Sequence, residues 1–342
     1  MQRFHGGQLK RAARQYGGPV EQWIDLSTGI SPWTWPVPVI DGQLWRDLPE
    51  DEGELTLAAA QYFSCSEEAV LAVPGTQFAI EAIPQLLAPT EVAIPNCAYQ
   101  EHHRSWLAAG HRPIFYHDFE SLQALIENQQ VNYAVVVNPN NPTTELISPE
   151  LLLGLARALQ QRDGFLLVDE AFIDTLPASS VSSEAGGSGL IILRSVGKFF
   201  GLAGIRLGFV LAAPEIKEML SSRIPIWSVS SPARWIGERA LFDVHWQEQQ
   251  RLRIQRSMPP WLDLLETSFP ALKFTSSTLF VTGFSDLSTC NSIFSLLAEK
   301  GLLVRQFDQT EGATALRFGL ASSRQLAQFR TRFTGTEKSF DA

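Results

Sequence analysis

Three short segments place polar side chains directly after apolar, strand-like runs. They are Val137-Asn138-Pro139-Asn140-Asn141-Pro142-Thr143, Val168-Asp169-Glu170-Ala171-Phe172, and the run from Arg194-Ser195-Val196-Gly197-Lys198-Phe199-Phe200 to Arg206-Leu207-Gly208. Open α/β sheets bind their ligands at that place, beyond the carboxyl ends of the strands. Lys198 is the only lysine between Lys10 and Lys217, and its neighbours are aromatic and apolar. Such surroundings desolvate an amine, as covalent catalysis by lysine requires. A fourth segment, Pro74-Gly75-Thr76-Gln77, joins a strand-like run over 70–73 to a helix-like run over 78–87. A helix start of that kind turns the N–H groups of Gly75, Thr76 and Gln77 towards an anion such as phosphate.

Each segment also has a purely structural reading. Asn-Pro repeats build turns, an Asp-Glu pair ending a strand is a helix cap or a solvated rim, Lys198 is a surface lysine in a glycine-bearing loop, and Gly75-Thr76 alone is an ordinary strand-to-helix turn. Tyr99, in Pro95-Asn96-Cys97-Ala98-Tyr99-Gln100-Glu101-His102, is either an aromatic platform for a ligand or a core tyrosine, and His102 and His103 read as helix residues.

Elements that could position these groups alternate along the chain. Strand patterns lie at 91–94, 113–116, 133–137, 165–168, 190–193 and 207–211, with helix patterns between them, the signature of a mostly parallel sheet covered on both faces. Ser148-Pro149 and Ser231-Pro232 open helices over 151–159 and 233–242, each with a capping residue before a first-turn proline. Two further strand patterns, 279–282 and 315–318, and a helix over 292–300 closed by Gly301 lie beyond. The expected organisation is an arm over 1–49 joining a small domain, a large domain over 50–235 and a C-terminal small domain over 236–342.

Composition narrows the function. The 342 residues are 45% hydrophobic and 18% charged, so the chain folds around a sizeable core. A net charge of −9 without a basic run argues against nucleic acid. Cys65, Cys97 and Cys290 form no C-x-x-C or zinc pattern, which suits a reducing cytoplasm and no metal. Apolar runs are strand-sized, so no membrane partner is expected.

Together, in this order and spacing, the segments resemble the fold-type-I pyridoxal-phosphate enzymes of the class I/II aminotransferase superfamily. The resemblance implies an α/β fold with a large sheet domain and a smaller α/β domain, pyridoxal 5'-phosphate as cofactor, and a homodimer. It implies Lys198 as the Schiff-base lysine, Asp169 as partner of the pyridine nitrogen and Asn141 as donor to the ring hydroxyl. It further implies Tyr99 as the stacking ring, and Ser195 and Arg206, with Gly75, Thr76 and Gln77, as phosphate ligands. The carboxylate beside the pyridine nitrogen has a physical logic: it keeps the ring protonated and able to accept electrons. The chain departs from the common pattern at Phe172, where a tyrosine is frequent, at Leu48-Pro49, where relatives carry Tyr-Pro, and at Gly197, where Ser or Thr is frequent.

The reaction depends on how the substrate is held, because the cofactor activates whichever Cα bond stands perpendicular to its ring. Arg317, in Ala315-Leu316-Arg317-Phe318-Gly319, is similar to the arginine with which aminotransferases hold the substrate carboxylate. His5-Gly6-Gly7, Asp25-Leu26-Ser27-Thr28-Gly29-Ile30-Ser31-Pro32 and the Gly-Lys-Phe-Phe-Gly-Leu-Ala-Gly run around Lys198 resemble the threonine-phosphate decarboxylases of cobalamin biosynthesis. That resemblance implies a small phosphorylated amino-acid substrate, L-threonine O-3-phosphate. His5 and main-chain donors around Ser27, Thr28 and Gly29 are the candidates for touching it; a flexible arm is the alternative. A histidinol-phosphate-type aminotransferase shares the fold, the cofactor and a phosphorylated substrate, and stands as the second reading. A non-catalytic scaffold of the same fold is the third, against which the retained Asn141, Asp169, Lys198 and Arg206 argue.

Overall fold

The computed structural model describes residues 6–50, 53–187 and 189–334. The chain divides into two compact units: one runs from Thr34 to Asn141 and from Glu145 to Gln247; the other holds the residues up to Trp33, Pro142–Thr144 and those from Glu248 on.

A two-residue strand, β1 (Ile24–Asp25), precedes the seven strands of the first unit: β2 (Val70–Val73), β3 (Glu91–Pro95), β4 (Arg112–Tyr116), β5 (Tyr133–Val137), β6 (Phe165–Asp169), β7 (Leu190–Ser195) and β8 (Gly208–Leu211). They form one sheet in the order β2-β8-β7-β6-β5-β3-β4. Pairing is parallel from β7 through β4, and antiparallel where β8 meets β2 and β7. Every residue of β6 and β8 is buried, as strands covered on both faces must be. Ile80, Ile94, Trp106, Val135, Leu167 and Leu193 pack in one cluster on this sheet. A crossover helix follows most strands, so the strand ends carrying the Asn-Pro, Asp-Glu and Lys198 segments lie side by side at one sheet edge.

The second unit contains β9 (Lys273–Ser276), β10 (Phe280–Phe284), β11 (Leu302–Leu303), β12 (Arg305–Phe307) and β13 (Ala315–Gly319). β12, β13, β10 and β9 form an antiparallel sheet in that order, and β1 pairs with β11 in parallel. The helix Leu287–Glu299, capped by Asp286, ends where Gly301 takes a φ of 69°.

Several local features differ from the sequence reading. Ser148 precedes Pro149–Gln160 without a side-chain capping bond, whereas the helix Ser231–Phe242 is capped by Ser230, one residue earlier than expected, through its bond from Ala233 N. The sheet-bearing unit begins at 33/34 and ends at 247/248, where the expectation was 49 and 235, and gives Pro142–Thr144 to the other unit. Trp35 explains the first, since its N–H bonds Phe200 O (2.8 Å) and its indole N–H bonds Asp243 (3.0 Å). For the second, Trp246 stacks on Phe200 at 5.5 Å. Among the described residues no helix is long and apolar enough to cross a membrane, and no group of three or more His, Cys, Asp or Glu side chains could hold a metal ion.

Candidate active site

Asp169 is the last residue of β6 and only 4% exposed. Its Oδ1 accepts from Ala171 N (3.1 Å), and its Oδ2 meets Nε2 of the equally buried His102 at 2.9 Å. A carboxylate only accepts, so Nε2 carries the hydrogen of this bond. His102, expected to be merely a helix residue, thus orients the carboxylate from the helix Glu101–Ala108. Tyr99, one turn earlier, sits edge-on to His102 at 6.3 Å between ring centroids and donates its hydroxyl to Gln77 Oε1 (3.0 Å). Tyr99 therefore links the segment after β2 to the one that steadies Asp169.

The Asn-Pro segment divides its labour. Asn138 is structural: its side chain bonds both N–H and C=O of Ile147, and its N–H donates to Asp169 O (2.8 Å). Asn140 donates to Cys97 O (2.8 Å). Asn141 is buried beside them in the same loop.

Beyond β7, Ser195 Oγ accepts from Gly197 N (3.2 Å). Lys198 follows half-buried, its Nζ 5.5 Å from the centre of the buried Phe172 ring. Its chain neighbours Val196, Phe199 and Phe200 are fully buried. Phe172 offers it a ring face in place of a hydroxyl.

Gly75 and Arg206 complete this part. Gly75 has φ 77° and ψ 152°, and a Cβ there would stand 2.6 Å from Arg206 Nη2. Arg206, itself left-handed at φ 54°, lays its guanidinium in the space that the glycine leaves. Gly75 N–H is taken by Val73 O (2.7 Å), so its contribution is this space and not the donor expected from sequence. Thr76 and Gln77 open the helix Thr76–Ala82, and Gly208 lets β8 approach, since a Cβ there would lie 2.7 Å from Thr76 N.

In the second unit, the buried Arg317 on β13 donates to Ser27 O (2.7 Å), with the Phe280 and Phe307 rings 5.5 and 5.8 Å from its Cζ. Its cross-strand neighbour is Arg305, which pairs with Glu311. Burial, then the charge of Arg305, push the Arg317 guanidinium down to about 9, outweighing the opposite pull of Asp25 and Glu311. An anionic ligand would relieve that deficit of negative charge. Ser27 is buried, and its N–H and hydroxyl both donate to Asp25 Oδ1 (2.8 and 2.6 Å), while its Oγ accepts from Gly7 N (2.8 Å). Gly6 is pressed against Ser27, where a Cβ would be 2.3 Å from its carbonyl oxygen. Thr28 is half-buried and Gly29 buried; His5 lies outside the described residues. Sequence reasoning missed His102, whose partner Asp169 is distant in the chain, and Arg305, which meets Arg317 through the pairing of β12 with β13.

A lysine, a hydrogen-bonded carboxylate and a guanidinium at the ends of adjacent strands define a class of protein. Residues 48–333 match the model of the family "Aminotransferase class I and II", and the chain belongs to that family. It is 39% identical over 317 residues to threonine-phosphate decarboxylase of Pseudomonas aeruginosa, covering 92% of each chain. To the protein of that name from Sinorhizobium sp it is 41% identical over 238 residues, 68% of this chain and 70% of the relative. Among solved structures, histidinol-phosphate aminotransferase from Sinorhizobium meliloti in complex with pyridoxal-5'-phosphate superposes with a TM-score of 0.81 at 19% identity, covering 96% of this chain and 93% of the other. That last likeness is one of fold.

Proposed function

We propose that the chain is a pyridoxal-phosphate enzyme that converts L-threonine O-3-phosphate to (R)-1-amino-2-propanol O-2-phosphate and carbon dioxide, a step of cobalamin biosynthesis. The observation that carries this reading is the 39% identity to a threonine-phosphate decarboxylase sustained over 92% of both chains. The residues fit the cofactor. Asp169 is a buried carboxylate held by two donors, Lys198 is a half-buried amine against an aromatic face, and Arg206 fills a cradle that any side chain at position 75 would occupy.

Pyridoxal phosphate, when bound, supplies an electron sink for the pair released as a Cα bond breaks. Lys198 Nζ would hold the cofactor covalently and later return a proton to Cα where the carboxylate has departed. Asp169, fixed by Ala171 N–H and His102 Nε2–H, would keep the pyridine nitrogen protonated. Asn141 would donate to the ring hydroxyl, and Tyr99 would lie against the ring. Thr76 and Gln77 N–H, Ser195 Oγ and Arg206 would take the phosphate, with Gly75 providing room.

On the substrate side, Arg317 would hold the carboxylate. Arg305 beside it is a second guanidinium, its charge offset by Glu311, that a substrate phosphate would draw on. With the Ser27 N–H committed to Asp25, Thr28 and Gly29 are the main-chain donors left to the notion of an arm-side contact, with His5 as its side-chain partner. A homodimer in the cytoplasm belongs to the same proposal. Val39, Trp45 and Leu48 are 97%, 68% and 60% exposed within one segment, an apolar surface that a second copy would cover. The free cysteines suit a reducing compartment.

The test separates the two activities. The chain, loaded with pyridoxal phosphate, is given threonine phosphate, or histidinol phosphate with a 2-oxo acid, and the products are resolved by chromatography. Aminopropanol phosphate as the main product supports the proposal. Amino transfer from histidinol phosphate, with threonine phosphate untouched, overturns it in favour of an aminotransferase.

A further inference from the structure

Beneath the strand ends that carry Asp169 and Lys198 lies a charged cluster with no part in the roles assigned so far. Backbone pairing between β6 and β7 stops at Asp169↔Leu193, with one more bond from Glu170 N to Leu193 O (3.0 Å). Past that point the two turns are joined by side chains. Arg194 Nη1 donates to Glu170 Oε2 (3.1 Å), Ser180 Oγ (3.0 Å) and Ser182 Oγ (2.6 Å), and Nη2 to Asp174 Oδ1 (2.6 Å). Glu170 Oε1 accepts from Val181 N (2.8 Å), and Asp174 Oδ1 also accepts from Tyr62 OH (3.0 Å). Arg194, Glu170 and Asp174 are each at most 3% exposed, and the Phe63 ring covers the guanidinium at 4.5 Å.

Each member is a chain neighbour of a site residue. Glu170 follows Asp169; Asp174 stands two residues past Phe172, whose ring faces Lys198; Arg194 precedes Ser195. Tyr62 touches Asp174 and also lies 5.5 Å from the ring of Phe200, two residues past Lys198. Burying one cation with two carboxylates is costly, and apolar side chains of like volume commonly serve stability as well or better. The cost is visible at Glu170, whose carboxyl burial pushes up in spite of Arg194 and three hydrogen bonds. What apolar packing would not supply is a fixed distance between two turns. A planar fork bonded to two carboxylates and two hydroxyls does supply it, and a lysine ammonium, a point donor, cannot span the same set.

We propose that Arg194 is a positioning residue which, by clamping Glu170 and Asp174, sets the spacing between the turn bearing Asp169 and Phe172 and the turn bearing Ser195 and Lys198. The inference rests on the cofactor reading given above. Its consequence is that loosening the clamp misplaces Lys198 relative to Asp169 while substrate contacts elsewhere are untouched.

The experiment compares wild-type holoenzyme with Arg194→Lys and Glu170→Gln. For each it measures the unfolding midpoint, kcat and KM for threonine phosphate, and the pH midpoint of the bound cofactor's absorbance band. Displacements of about 1 Å can cost roughly a hundredfold in rate, so Arg194→Lys is expected to lose about that in kcat with KM held within about threefold. Its band midpoint moves away from the wild-type value, and Glu170→Gln follows in the same direction with a smaller loss. A folded Arg194→Lys with wild-type kcat and band midpoint overturns the proposal. If Arg194→Lys does not fold, Glu170→Gln decides, and an unmoved kcat and band there overturn it equally. A wild-type chain that forms no cofactor band defeats the cofactor reading, and this inference with it; a wild-type band with unmoved variants defeats the inference alone.

Discussion

Replacing Gly75 with alanine perturbs the chain in two separable ways. At φ 77° and ψ 152° the backbone occupies a region populated almost only by glycine, and a side chain there costs about 1–3 kcal/mol. The new Cβ would also stand 2.6 Å from Arg206 Nη2, so the guanidinium must leave its seat. If that guanidinium takes the cofactor phosphate, losing one charge-assisted hydrogen bond costs about 1.5–3 kcal/mol. That corresponds to cofactor binding weakened about 10- to 150-fold. The assay is a titration of cofactor into wild type, Gly75→Ala, Arg206→Met and the double variant, with unfolding midpoints measured in parallel. Both substitutions act on affinity through one guanidinium, so the losses do not add, and the double variant binds within about threefold of Arg206→Met. Backbone strain still lowers the midpoint whenever alanine stands at 75. Wild-type affinity in Gly75→Ala, or full additivity in the double variant, would refute the reasoning.

Other outcomes follow from the same geometry. His102→Phe leaves Asp169 Oδ2 buried without its His102 donor and is expected to cost about 1–3 kcal/mol of stability. His102→Gln, whose amide nitrogen reaches similarly far, recovers most of it in chemical denaturation, and identical midpoints for the two variants would contradict the hydrogen bond's role. Arg317→Met raises KM for threonine phosphate by about 10- to 150-fold at neutral pH if the guanidinium holds a carboxylate. Arg317 is a base pushed down to about 9, so it is charged below that pH and loses its proton above it. The ratio of variant to wild-type KM therefore shrinks as pH passes about 9, and a ratio constant to pH 10 would show that the guanidinium keeps its proton there.

The strands of the large sheet were legible because most are short apolar runs between turn residues, and β5, Tyr133–Val137, falls at its expected bounds. The polar segments after β5, β6 and β7 were legible because strand ends concentrate function. His102 was not: nothing in the sequence relates position 102 to 169, and only the sheet order brings the helix Glu101–Ala108 to the end of β6. The helix Val244–Ser268 was not drawn from the sequence; it runs through Pro259 and Pro260, residues that interrupt a helical pattern. β12 is three residues long, too short to show a period, and with it Arg305 escaped notice. Residues 34–49 look like an arm by their Pro and Trp content, but Trp35 binds them to the large sheet's unit through bonds to Phe200 and Asp243 that no local pattern announces.

In the proposed reaction the substrate's carboxylate leaves Cα as carbon dioxide under the control of Lys198. The most direct measurement follows labelled carbon dioxide from carboxyl-labelled L-threonine O-3-phosphate, using wild type and Lys198→Ala, each supplied with pyridoxal phosphate. Wild type is expected to sustain release equimolar with aminopropanol phosphate, and Lys198→Ala to release label no faster than free cofactor does. Label retained in an organic acid while the amino group moves to a 2-oxo acid, or equal release by Lys198→Ala, would contradict it.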